Sequence, residues 1–148
     1  MDQIILPEQK GFIKGRYILD AIINLWECTD YASELSLDFL FLKIDFDKAY
    51  DRVEWDFILQ SLHDVGLGKK FINYTHMLLG NASSIVAFNG SLSQPIQLKR
   101  SIRQGCPLAP LLFVIVADSL GWLVQQSMAQ GKIQGIPITP INKEFCLQ

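Results

Sequence analysis

A chain of 148 residues that is 49% hydrophobic is long enough to bury a core and too apolar to stay disordered. Thirteen Lys and Arg against fifteen Asp and Glu give a net charge of −2, so no global positive field marks a free-standing nucleic-acid binder, although a piece of a larger protein need not carry its parent's basic surface. Cys28, Cys106 and Cys146 form no C-x-x-C pair and number oddly, which argues against a disulfide framework or a zinc ribbon and predicts thiols.

Met1-Asp2-Gln3 leads only into the short apolar Ile4-Ile5-Leu6, so the chain opens on neither the basic nor the apolar region of a secretory signal. The apolar stretch Leu111 to Ala117 is broken by Asp118 and is shorter than the ~18 residues of a membrane span. The expectation is an intracellular protein, nuclear or cytoplasmic, with no membrane partner. No repeat or Gly/Ser-rich linker interrupts the chain, which predicts one domain over residues 1–148.

In chain order, Ile18, Ile22, Leu25, Thr29 and Ala32 recur at helical spacing after Gly15-Arg16 and predict a first helix of about five turns. The almost unbroken apolar run Phe39 to Phe46 carries Asp45 near its end and reads as a central strand covered on both faces. Asp51 and Glu54 have capping-box spacing before a helix whose face is Trp55, Ile58, Leu59, Leu62 and Val65, stopped by Gly66. A second helix follows Gly68, with Phe71, Tyr74 and Leu78 on a stripe. Ser84 to Phe88, Asn89-Gly90 and a return run through Ile96 and Leu98 predict a hairpin with an Asn-Gly turn. A basic loop, Lys99 to Pro107, precedes a long buried helix from Leu108 to Gln130, ended by Gly131, and a short strand is expected over Lys132 to Ile138. This order is an α+β pattern, a small antiparallel sheet backed by helices.

Asp45, Asp47 and Asp51 crowd the exit of the expected central strand, where a sheet can hold carboxylates rigidly toward a divalent cation. Equally, Asp is common where strands hand over to helices, as a turn or cap residue. Asp45 fits that second reading least, because an acid next to Ile44 lies close to the core and needs a partner or a metal. His63 and His76 have no Cys or carboxylate at ligand spacing and read as helix-surface residues. Cys106 has no neighbouring acid or base to activate it and reads as packing.

The order of residues narrows these alternatives. Residues 41 to 55, Phe-Leu-Lys-Ile-Asp-Phe-Asp-Lys-Ala-Tyr-Asp-Arg-Val-Glu-Trp, resemble the first catalytic motif of reverse transcriptases from non-LTR (LINE-type) retrotransposons. Upstream, Gln9-Lys-Gly-Phe-Ile-Lys-Gly-Arg16, followed by Ile18 and Asp20, resembles the block that precedes it. Downstream, Asn89-Gly90 and then Arg100-Ser-Ile-Arg-Gln-Gly-Cys-Pro-Leu-Ala-Pro110 resemble the second catalytic motif. The three blocks run in the family's order across about residues 3 to 138, with wording closest to plant elements.

The resemblance implies a partial polymerase palm with part of the fingers, serving an RNA template, a DNA primer and dNTP. It implies that Asp45 binds catalytic Mg²⁺, with the carbonyl of Phe46 as a further ligand, in a two-metal site that activates the primer 3′-hydroxyl and steadies the leaving pyrophosphate. Tyr50 matches the aromatic position that closes against the sugar of the incoming nucleotide, where a ring clashes with a 2′-hydroxyl. The resemblance further implies that Gln104 and Gly105 line the nucleotide pocket and makes Arg103 a candidate contact to a phosphate. Asp51 is read as a cap and Asp47, where the family more often has Glu, as exposed. The upstream fingers motifs, the aromatic-Ala-Asp-Asp motif with its two further carboxylates, and the thumb have no counterpart in the 148 residues. The expectation is a truncated product that is inactive alone. Competing readings are a non-catalytic palm-like scaffold or binding remnant, and a haloacid-dehalogenase-like phosphatase built on Asp45-x-Asp47.

Overall fold

The computed structural model describes residues 4–136. It divides into two compact units, Met1–Asp45 with Ala117–Gln148, and Phe46–Val116. At the level of fold class the α+β expectation holds: helices accompany two small antiparallel sheets.

In the first unit, helix α1 spans Ile18–Glu34. Its end is fixed by backbone geometry: Leu37 N–H reaches Ala32 C=O at 2.9 Å and Ser36 N–H reaches Ser33 C=O at 3.0 Å, with Ser36 at φ 50°. That is a Schellman closure with serine where glycine is usual. The expected apolar stripe is helical but is not the buried face; Ala32 is buried while Ile18 and Ile22 stay exposed. Ahead of α1, Asp118 Oδ1 accepts the Leu6 N–H at 3.0 Å. The Arg16 guanidinium donates to the carbonyls of Leu6, Gln9 and Ile5. These bonds hold an irregular segment whose Ile5 and Ile13 enter the core.

The expected central strand does not form. Residues 37–46 have no regular structure, and Phe39, Leu40, Phe41, Leu42, Ile44 and Phe46 are all exposed. A strand exists only through its ladder, and no described residue pairs with this run. Apolar periodicity alone cannot supply the missing partner.

In the second unit, α2 (Ala49–Arg52) and α3 (Trp55–Asp64) are separated by extended Val53. Asp51 lies inside α2, and the N-cap of α3 is Glu54 without a side-chain cap bond, so the capping-box reading fails. Gly66, at φ 77°, closes α3 as expected, with Leu67 N–H bonding Leu62 C=O at 3.0 Å. Helix α4 (Lys69–Gly80) packs on α3. Ile58 and Leu62 are fully buried, as is Thr75 of α4. Phe71, Tyr74 and Leu78, the predicted stripe, are exposed instead. The inner face of α4 is Ile72, Thr75 and Leu79, a phase set by α3 that a mixed face such as Phe71-Ile72-Tyr74-Thr75 does not reveal.

The hairpin is as predicted. Strands β2 (Ala87–Phe88) and β3 (Ser91–Leu92) pair antiparallel, as do β1 (Ser83–Ser84) and β4 (Ile96–Gln97). Asn89 and Gly90 both have positive φ, 47° and 78°, the requirement of a type I′ turn. Between the two ladders the return strand holds one extra residue, so the register shifts from Ser84↔Ile96 to Ala87↔Leu92. This is a β-bulge next to Pro95, which has no N–H for a ladder.

Helix α5 spans Ala109–Ala129 and ends at Gly131, φ 69°, where Lys132 N–H bonds Ser127 C=O at 2.9 Å. It is long and apolar enough by composition to cross a membrane, which the stretch Leu111 to Ala117 alone did not register. Asp118 interrupts it with a hydrogen-bonded carboxylate. Residues 132–136 form no strand; the rest of that predicted strand lies outside the described residues. Cys106 is a free thiol, whereas Cys28 is disulfide-bonded. An odd cysteine count rules out complete pairing and still permits one pair.

Candidate nucleotide-binding site

The second unit draws together segments that the sequence shows only as separate motifs. Ile102 N–H donates to the Tyr50 carbonyl at 2.8 Å, and Ser101 N–H donates to the Val53 carbonyl at 2.9 Å. Trp55 Nε1 donates to the Ser101 carbonyl at 2.8 Å, and Glu54 and Arg100 form an antiparallel bridge. Val53 and Ile102 are buried beneath this seam. Ser101 is held at φ 91°, a conformation a non-glycine residue adopts only when its surroundings fix it; here both its N–H and its C=O are used.

Tyr50 is half-buried. Its ring stacks on Phe113 of α5 with centroids 4.9 Å apart and planes 15° apart, a contact of the favourable offset kind. Immediately after Ile102 the chain turns: Cys106 N–H bonds the Arg103 carbonyl at 3.2 Å, and Gly105 has φ 83°. Positive φ at the third position is the mark of a type II turn, which explains glycine there. Arg103, Gln104 and Gly105 are exposed, as are Lys99 and Arg100, so the rim is cationic and open. Ala109 N–H then bonds Cys106 C=O at 3.0 Å and launches α5.

The acids divide differently from the expectation. Lys48, in the left-handed region at φ 50°, turns the chain between Asp47 and Tyr50. Asp47 pairs with Arg52 at 2.7 Å, both side chains well exposed, an ion pair worth little in stability. Asp45 is exposed on the irregular segment, and Phe46 is exposed beside it. Among the described residues no three His, Cys, Asp or Glu side chains converge as metal ligands. The described donors therefore do not by themselves fit a two-metal centre. His63 and His76 are both exposed, and His63 lies 3.5 Å from Asp64.

Phe113, Ile102 and Trp55 were not expected from sequence to join the two motifs. Their roles depend on contacts between distant segments, for which residue spacing carries no information.

Comparison with known proteins resolves the family. Residues 1–139 match the family described as "Reverse transcriptase (RNA-dependent DNA polymerase)". The chain belongs to the reverse transcriptase family. Among its relatives is the Transposon TX1 uncharacterized 149 kDa protein of Xenopus laevis, 29% identical over 85% of this chain and 10% of that protein. Another is a Retrovirus-related Pol polyprotein from type-1 retrotransposable element R2 of Popillia japonica, 29% identical over 91% of this chain and 19% of that protein. A third, from type-2 retrotransposable element R2DM of Drosophila melanogaster, is 30% identical over 77% of this chain and 11% of that protein. The chain thus spans less than a fifth of the length of each of these relatives. With them, the resemblance to non-LTR reverse transcriptases is borne out, and the phosphatase reading of Asp45-x-Asp47 is set aside.

Proposed function

We propose that this chain is the part of an RNA-directed DNA polymerase that carries the first and second catalytic motifs, within a partial palm and part of the fingers. The observation that supports it best is the seam joining Tyr50 and Val53 to Ile102 and Ser101. It ties the Tyr50 backbone to Ile102, directly before the Arg103–Cys106 turn, while the Tyr50 ring stacks on Phe113.

In this reading Tyr50 bears on the sugar of the incoming nucleotide, where a fixed ring disfavours a 2′-hydroxyl. The Gln104-Gly105 backbone, which carries no Cβ at Gly105, allows close approach of the nucleotide. Arg103 meets a phosphate of nucleotide or template strand. Asp45, with the Phe46 carbonyl, contributes to the binding of Mg²⁺, which would polarise the reacting phosphate; the remaining ligands would come from outside the described residues. RNA template, DNA primer and dNTP are the partners of the complete enzyme.

The test is equilibrium binding of a labelled RNA template annealed to a DNA primer, with dNTP or rNTP present. Weak binding should be diminished by Arg103→Ala, and Tyr50→Ala should narrow the preference for dNTP over rNTP. A chain that binds neither primer–template nor nucleotide contradicts the reading.

A further inference from the structure

In the first unit, the Leu6 to Gln9 segment and the Ala117 to Met128 stretch of α5 line a half-open cavity of ≈ 580 Å³. Its walls are largely apolar, from Leu6, Leu120, Val124 and Met128. Gly121 lets the Leu6 wall pack closely on α5: a Cβ at that position would lie 2.8 Å from Leu6 Cδ1. Two acids line the same space, Glu8 and Asp118.

Each acid has one oxygen in use and one that is not. Asp118, only 4% exposed, accepts the Leu6 N–H with Oδ1; its buried Oδ2 has no partner at hydrogen-bond distance, although Arg16 and Trp122 lie near enough to favour the charged carboxylate. Glu8 Oε1 accepts from Gln125 Nε2 at 3.3 Å, while its buried Oε2 likewise has none. A buried carboxylate oxygen without a donor is costly, and native structures rarely leave one so. Two beside one cavity point to a donor that arrives from elsewhere.

The chemistry of the cavity selects among donors. A hard divalent cation needs six or more oxygen ligands, and no group of three ligating side chains exists among the described residues. An anion would face two acids. A neutral apolar guest would fill the walls and leave both oxygens unpaired. A cationic head carried on an apolar stem meets both demands, since ammonium and guanidinium groups offer several charge-assisted donors at the end of a chain of methylenes.

We propose that this cavity binds an organic cation, an ammonium or guanidinium group on a short apolar stem, with its head between Glu8 and Asp118. None of the nucleotide-site residues takes part, so the proposal stands or falls independently of the polymerase reading.

The experiment is titration of the full chain with n-butylguanidinium and n-butylammonium, followed by calorimetry and by the amide resonances of Leu6 and Gly121. Binding with a dissociation constant on the order of 1 mM is expected for guests so small. Glu8→Gln and Asp118→Asn should each weaken it about tenfold or more. If Asp118→Asn does not fold, Glu8→Gln, at a half-buried position, carries the test. Nα-acetyl-arginine amide binding as well as butylguanidinium assigns the site to an Arg or Lys side chain of another polypeptide, and its exclusion assigns a free small cation; both sustain the proposal. Absence of binding, equal binding of 1-pentanol, competition by Mg²⁺, or an affinity unchanged in the variants overturns it.

Discussion

The Phe113 ring stacks on Tyr50 at 4.9 Å, so the first turns of the helix that follows the second motif brace a residue of the first. Phe113→Ala should destabilise the chain by about 2 kcal/mol, less than the 3–5 kcal/mol typical of a fully buried ring, because both rings are half-buried. Phe113→Leu should recover part of the loss. Urea unfolding followed by circular dichroism measures both, and an unchanged midpoint for Phe113→Ala would deny the brace.

The two faces of the α3–α4 pair should respond very differently to truncation. Leu62 and Ile58 are fully buried, whereas Leu78 is 68% exposed. Leu62→Ala or Ile58→Ala should cost roughly 2–5 kcal/mol, and Leu78→Ala less than about 0.5 kcal/mol. Comparable losses at Leu78 and Leu62 would place the helix face wrongly.

Burial, its largest cause, holds the Asp118 carboxyl above its ordinary value of 3.8; the Leu6 N–H opposes the shift, Glu8 adds to it, and Arg16 and Trp122 oppose it. With the folded pKa above the unfolded one, the folded state retains the proton longer. The stability contributed by protonated Asp118 is present in full below the unfolded pKa and is lost as pH rises from about 3.8 through the raised folded value. Asp118→Asn cannot lose a proton and can still accept the Leu6 N–H. The stability difference, variant minus wild type, should therefore grow as pH rises through that window and then level off. Paired urea titrations from acid to neutral pH test this; a difference that is flat or shrinks would count against it.

With Asp45 exposed and no converging ligand group among the described residues, Mg²⁺ should bind no more tightly than about 1 mM. Primer extension by this chain alone, with RNA template and dNTPs, should remain at background, because groups that act as one catalytic unit leave no proportionate residue of activity when most are missing. Micromolar Mg²⁺ binding or extension above background, lost in Asp45→Ala, would reveal ligands beyond those described.

What sequence could disclose followed from how local each feature is. The Asn89-Gly90 turn and the glycine stops at Gly66 and Gly131 are set by neighbouring residues and were legible. The α4 face was not, because Phe71 and Tyr74 compete with Ile72 and Thr75 for the inner side and α3 decides. The Phe39–Phe46 run has the composition of a strand, yet strand formation needs a partner, which no periodicity can report. In the candidate site, motif order singled out Tyr50, Gln104 and Gly105 as expectations, and the type II turn gives the glycine at 105 a local reason. The stack on Phe113 depends on tertiary geometry, whereas the exposure of Asp47 was legible and its pair with Arg52, five residues on, is local.

The extra residue in the return strand of the hairpin has a consequence for growth. Had the ladder continued in one register from Ser83 to Phe88, the edge would be long, straight and suited to recruiting a strand from another molecule. Splitting it into two short ladders, with Pro95 at the join, coils the ribbon and removes a donor from its rim. A sheet this exposed thereby resists templating its own polymerisation into fibrils.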